Sequence, residues 1–243
     1  MNYEEDKPIS YCGIFGIYGS ETASAQAYYG LHALQHRGQE ASGIVTRSFN
    51  GDNRAHFNII KGEGLVSEVF ADHNLLTDVL FGDSAIGHNR YSTTGSSKSR
   101  KNIQPFMVNY RMGNLAIGHN GNLTNAKELR EELVNEGAIF QTTSDTEVIL
   151  HLIARSKLDN QIDQIMEALR RIEGAYCLVI LTDDKLIAAR DPLGFRPLSL
   201  GKLEDAFLVA SETCAFDIQR AEFLREVEAG EMIVIDDESI KTK

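Results

Sequence analysis

The stretch YCLVILTDDKLIAAR, residues 176–190, places two apolar runs on either side of a pair of acids. Tyr176–Thr182 and Leu186–Arg190 read as strands, and Asp183-Asp184 reads as the turn joining them as antiparallel neighbours. The pattern recurs upstream, where Met112-Gly113-Asn114 separates Phe106–Tyr110 from Leu115–His119. Further strands are expected at Gly13–Tyr18, Gly43–Phe49, Ala55–Lys61, Ala85–Tyr91, Phe207–Ser211 and Met232–Ile235. Helical patterns interrupt them. Thr22–Leu34 is Ala-rich, and Ile162–Ile172 is a clear helix. In Asn125–Glu136, Ala126, Leu129 and Leu133 fall at helical spacing, and Gly137 stands where a helix ends. In Asp145–Arg155, Val148, Ile149, Leu152 and Ile153 make an apolar stripe, with Ser144 and Glu147 spaced as a capping box. Hairpins with clustered helices predict an α+β fold rather than a regular βαβ array. No repeat or linker divides the chain, so one domain is expected over residues 12–243, with residues 1–11 set apart.

The chain has 243 residues, 42% of them apolar and 24% charged. That is enough to bury a full core, and it excludes disordered, collagen-like and coiled-coil classes. Lys and Arg number 24 against 35 Asp and Glu, a net charge of −11. Such a chain repels nucleic-acid backbones, so no nucleic-acid partner is expected. Three separated cysteines, Cys12, Cys177 and Cys214, make neither a disulfide framework nor a CxxC metal site. No apolar run approaches a membrane span, and MNYEEDKPISY at the start lacks the apolar core of a secretory signal. The expectation is a soluble cytoplasmic protein.

Cys12 opens the run CGIFGI. A cysteine there is a small core residue, unless residues 1–11 are removed. Its α-amine, titrating near ~8, would then stand beside its own thiol and could carry that proton to a leaving group. Four polar clusters lie elsewhere: HRGQE at 36–40, RYSTTG at 90–95, NGN at 120–122 and TTSD at 142–145. Each has a plain explanation. Arg90 could be a surface ion pair, Asn120-Gly121 a turn, and Asp145 a first-turn acid favoured by the helix dipole. Together they make an amino-acid amide site. An Asn side chain and a Gly N–H can hold a developing oxyanion, Arg90 can take a carboxylate, and Asp145 can take an ammonium.

Seven segments carry a resemblance: LHALQHRGQEASGI (31–44), IGHNRYSTTGSS (86–97), NIQPF (102–106), IGHNGNLTNAKEL (117–129), TTSDTEVILHLI (142–153), ARDPLGFRPLSLG (189–201) and VASETCAFD (209–217). In these the chain, from Cys12 to about residue 236, resembles the glutaminase domain of the class II, N-terminal-nucleophile glutamine amidotransferases. Tyr91 after Arg90, and Gln39-Glu40 after Arg37-Gly38, make it similar to the phosphoribosyl branch rather than to sugar-isomerising or asparagine-forming members. The resemblance implies a four-layer αββα sandwich of two antiparallel sheets. It implies self-removal of residues 1–11, Cys12 as nucleophile, and Asn120 with the Gly121 N–H as oxyanion hole. It implies Arg90 and Thr93 at the glutamine carboxylate, Asp145 at its ammonium, and Arg37-Gly38 against the side-chain amide. L-glutamine would be hydrolysed through a glutamyl thioester. In a full-length enzyme the ammonia would convert phosphoribosyl pyrophosphate to 5-phosphoribosylamine in purine biosynthesis, on a phosphoribosyltransferase domain absent from this chain. No cofactor is expected of this domain; Mg2+ and a [4Fe-4S] cluster are expected of a full-length chain alone, and self-association into a homo-oligomer is allowed. Cys177 and Cys214 read as core cysteines, and residues 233–240 as a last strand with an acidic turn.

Two other classes stay open at this stage. An unprocessed chain would be a silent module docking on a phosphoribosyltransferase partner. A Cys–His hydrolase would pair Cys12 with His36, His88 or His119; in a regular strand His88 and Arg90 share one face.

Overall fold

Alternation along the strands sorts the side chains into three apolar layers. The computed structural model describes residues 12–243 except 50, 52, 53, 92–99 and 238. In β1 (Gly13–Tyr18) Phe15 and Ile17 point one way, and Ile14 and Tyr18 the other. With β2 (Ala41–Phe49), β3 (Ala55–Glu63) and β4 (Ser84–Arg90) it makes four strands of a seven-stranded sheet. The second sheet starts with β5 (Phe106–Tyr110), β6 (Gly113–Leu123), β7 (Gly174–Thr182) and β8 (Leu186–Arg190). β9 (Ser199–Leu203), β10 (Ala206–Ala210) and β11 (Glu222–Glu226) complete the first; β12 (Met232–Ile235) and β13 (Ile240–Thr242) complete the second. The orders are β11-β9-β10-β1-β4-β2-β3 and β13-β12-β8-β7-β6-β5, and every described pairing is antiparallel.

Helices cover the outer faces. α1 (Ala23–Ala33), α2 (Val66–Val69) and α6 (Cys214–Asp217) pack on the first sheet around Phe15, Leu31, Phe70 and Phe216. α3 (Ala126–Asn135), α4 (Thr146–Arg155) and α5 (Gln161–Leu169) pack on the second around Leu133, Ile149, Ile165 and Leu178. Ile14, Val45, Ile86, Val179 and Leu186 fill the space between the sheets. This is the expected four-layer αββα arrangement. Close sheet-to-sheet approach needs glycine at Gly16, where a Cβ would stand 2.8 Å from Val179.

The sequence reading differs from the structure in specific places. The strand expected at Leu115–His119 runs on to Leu123, because Asn120, Gly121 and Asn122 pair with Cys177, Tyr176 and Ala175. Asn120-Gly121 is therefore strand, not turn. β9, β11 and β13 were not anticipated; they are short, and β11 and β13 are edge strands carrying charged residues. Ser144 Oγ does accept the Thr146 N–H at 3.2 Å, but Glu147 does not close the capping box. Its carboxylate takes the Gln141 and Thr142 N–H groups instead, both at 2.8 Å.

Candidate active site

Cys12 stands one residue before β1. Gly13 pairs with Asn89 and Ile14 with His88, so Cys12 falls beside Arg90 on the neighbouring strand. Ile14 belongs to the layer between the sheets, so Cys12, two residues earlier, shares that face. Arg90 and His88 share it too, as the expected strand pattern requires. Ser211 holds the backbone here: its N–H donates to Ile14 O, and its Oγ accepts the Ile14 N–H, both at 3.0 Å.

Asn120 occupies the matching face of the other sheet. Ala116 and Cys177 lie in the inter-sheet layer, and Asn120 has the parity of the first and the register position of the second. His88 Nε2 lies 3.1 Å from His119 O, which brings the end of β4 that carries Arg90 against the end of β6 that carries Asn120. Asn120 is 1% exposed, and neither its Oδ1 nor its Nδ2 has a partner among the described residues. A buried amide left without bonds is costly, and native structures keep few of them. Next to it Gly121 has no room for a side chain, since a Cβ would overlap Ala175 O.

The Cys12 thiol is half-buried, with Sγ 3.7 Å from Tyr91 O. Burial pushes its pKa up; the bond to Tyr91 and the charges of Arg196 and Arg90 pull against that. A thiol held protonated needs a base before it can attack. The three candidate histidines make their bonds elsewhere, with His88 Nδ1 and His119 Nε2 buried without partners among the described residues. His36 lies between Ala33 O and Glu212, and His119 Nδ1 lies 3.1 Å from Thr146 Oγ1 on the outer side of its sheet. His88 is fully buried, and burial pushes its pKa down to about 3. None of the three is bonded to Cys12 Sγ, so the geometry does not assemble a Cys–His pair.

Asp145 stands immediately before α4, at the same end of β6. Its Oδ2 accepts the Leu123 N–H at 3.0 Å, and its Oδ1 lies 3.5 Å from His119 Nδ1. Burial opposes the charge of this carboxylate, but His119 and the backbone N–H groups outweigh it and hold the pKa down to about 2. Arg37 is buried: its Nε donates to Cys12 O at 3.2 Å and its Nη1 to Glu212. Gly38 backs onto β4, where a Cβ would stand 2.8 Å from Arg90 C and O. Thr93 and residues 1–11 lie outside the described residues. Cys177 is a core cysteine, its pKa pushed up to about 12 by burial. Cys214 is half-buried rather than core, and with His36 and Glu212 it offers three metal-capable atoms within 4.8 Å of one another.

Sequence reasoning gave Arg196 and Glu212 no role. Both sit in quoted segments, but the signal is spatial: Arg196 acts electrostatically on Cys12, and Glu212 pairs with Arg37.

The model of the glutamine amidotransferase domain matches residues 88–217. This chain belongs to the glutamine amidotransferase domain family. It is 51% identical to amidophosphoribosyltransferase 2, chloroplastic, of Arabidopsis thaliana over 98% of its own length and 41% of the relative's. It is 50% identical to the amidophosphoribosyltransferase of Bacillus subtilis over 96% of its length and 47% of the relative's. These relatives are enzymes, and the chain spans about half their length. Among solved structures, the B. subtilis glutamine phosphoribosylpyrophosphate amidotransferase complexed with ADP and GMP superposes with a TM-score of 0.88 at 49% identity, over 96% of this chain and 49% of that one. A class-II glutamine aminotransferase domain protein from Silicibacter pomeroyi shares the fold at 14% identity and a TM-score of 0.60, over 96% of this chain and 98% of that one. The amidotransferase match does not favour the docking-module reading. No helix among the described residues is long and apolar enough to cross a membrane.

Proposed function

We propose that this domain hydrolyses the side-chain amide of L-glutamine, with Cys12 as an N-terminal nucleophile once residues 1–11 are removed. The observation that carries the reading is Asn120: a buried amide without a protein partner, on the face that looks across to Cys12. A donor kept free of protein partners is suited to an oxyanion that forms only during reaction. In this reading the Cys12 thiolate attacks the amide carbon, and the oxyanion rests on Asn120 Nδ2 and the Gly121 N–H. The Cys12 α-amine takes the thiol proton and returns it to departing ammonia. Water then cleaves the glutamyl thioester to glutamate. Arg90, with Thr93, takes the substrate carboxylate; Asp145, kept anionic, takes its ammonium; Arg37-Gly38 backs the amide.

By analogy with its relatives, the ammonia would pass to phosphoribosyl pyrophosphate in the longer enzyme, giving 5-phosphoribosylamine for purine synthesis. Any Mg2+ or iron–sulfur cluster is assigned to that other half, and the cytosol is the proposed compartment. The test is intact mass after incubation with a diazoketone analogue of glutamine. Loss of residues 1–11 together with one adduct on Cys12 is the expected result. A retained leader without adduct defeats the reading.

A further inference from the structure

Glu212 lies between β10 and α6 and takes no part in the reaction proposed above. It nevertheless ends a chain of contacts that begins at Cys12. β1 starts at Gly13, so the Cys12 carbonyl lies outside the strand ladder. Arg37 Nε holds that carbonyl at 3.2 Å, and Arg37 Nη1 donates to Glu212 Oε1. The other carboxylate oxygen of Glu212 lies 2.9 Å from His36 Nε2. Arg37 is only 7% exposed. A buried guanidinium stays charged, so it requires a counter-charge, and Glu212 is the acid paired with it.

We infer that Glu212 is a positioning residue for Cys12, acting through Arg37. The inference rests on the reading of Cys12 as nucleophile. The guanidinium is planar, with its donors in a fixed fork. Pinning Nη1 on the carboxylate sets the plane of the fork, and the plane aims Nε at Cys12 O. Ser211 fixes the next stretch of backbone at Ile14. Residues 211 and 212 together thus clamp the segment that carries the thiol and, after processing, the α-amine. Without the carboxylate the fork can turn, the Cys12 carbonyl is released, and the thiol and amine lose their common orientation. Glutamine would still bind by its carboxylate and ammonium, because Arg90 and Asp145 are untouched, and what Arg37 and Gly38 lose is a contact at the reacting amide. The loss should fall on kcat.

The experiment uses the chain after intact mass has shown Cys12 at its N-terminus, with the diazoketone analogue as active-site titrant. kcat and KM for glutamine are measured for wild type, Glu212→Gln and Glu212→Ala, with thermal unfolding alongside. Both variants are expected to lose about 100-fold in kcat, the scale of a 1 Å misplacement, with KM within about threefold. Glu212 is partly open to solvent, so acetate should restore Glu212→Ala about tenfold. Rescue of kcat by a free carboxylate is not expected of a side chain that merely stabilises the fold. If Glu212→Ala does not fold, the near-isosteric Glu212→Gln carries the test. A folded Glu212→Gln with wild-type kcat, a loss confined to KM, or no rescue by acetate overturns the inference. A wild type that takes no adduct fails at the earlier step and removes the nucleophile reading with it.

Discussion

Asp145 Oδ2 accepts the backbone N–H of Leu123 at 3.0 Å, so the carboxylate of the residue that precedes α4 is tied to the strand that carries Asn120 and Gly121. The tie gives Asp145 two testable roles. Its pKa is held near 2 against an ordinary 3.8, so the unfolded chain takes up a proton before the folded one does. The resulting stability, about 2 kcal/mol, is complete above pH ~4 and is lost as the pH falls toward 2. Urea unfolding of wild type and Asp145→Asn at pH 7 and pH 3 checks this: the gap between the two should shrink at the lower pH. As ammonium ligand, the same variant should raise KM for glutamine by about tenfold or more.

Asn120 should separate stability from activity. Its two side-chain polar atoms are buried without partners, so replacing it with leucine removes a desolvation cost of about 1–3 kcal/mol. Asn120→Leu is expected to melt no lower than wild type. Its kcat should fall about 100- to 1000-fold, the scale seen when one oxyanion donor is removed. A variant that keeps its activity would take Asn120 out of the chemistry.

Much of this could be read from the sequence because the physics is local. The hairpins follow from periodicity and turn residues: the one at Asp183-Asp184 is where expected, while the one expected at Met112-Gly113-Asn114 turns at Arg111-Met112, with Gly113 and Asn114 already paired in β6. All four long helices start within a residue of expectation, though the one expected to run to Ile172 ends at Leu169. What periodicity cannot supply is the reason a polar residue stays in a strand. Asn120-Gly121-Asn122 has turn chemistry, yet β7 pairs with it residue by residue. The third dimension was equally hidden. Cys12 and Asn120 are 108 positions apart, and only the stacking of two sheets sets them on facing sides. Glu212 carries no sequence signal of its own; its meaning comes from Arg37, whose burial a sequence does not show.

The glycines of the site should tolerate no side chain. Gly38 is not in the left-handed region, so the argument is one of space. Its Cβ would meet the backbone of Asn89 and Arg90 at 2.8 Å, and backbone cannot swing aside as a side chain can. Gly38→Ala should destabilise by about 1–3 kcal/mol and shift Arg90. KM for glutamine should then rise more than kcat falls, because Arg90 is assigned to the substrate carboxylate. Steady-state kinetics with thermal melts would show it, and an unchanged KM would detach Gly38 from the site.

His88 offers the sharpest test between an amine base and a histidine base. It shares the inter-sheet face with Cys12, but burial holds its pKa near 3, so its imidazole is too weak a base to take the proton of a thiol whose own pKa is raised. The adduct rate with the diazoketone analogue should therefore rise with pH through the amine and thiol range, and His88→Gln should follow the same curve within about threefold. The variant should differ in stability instead. A histidine kept neutral when folded is protonated first in the unfolded chain, so wild type loses stability as the pH falls from about 6.5 toward 3. Glutamine cannot titrate, and His88→Gln should flatten that part of the stability curve. Abolished adduct formation in a folded His88→Gln would instead make His88 the base.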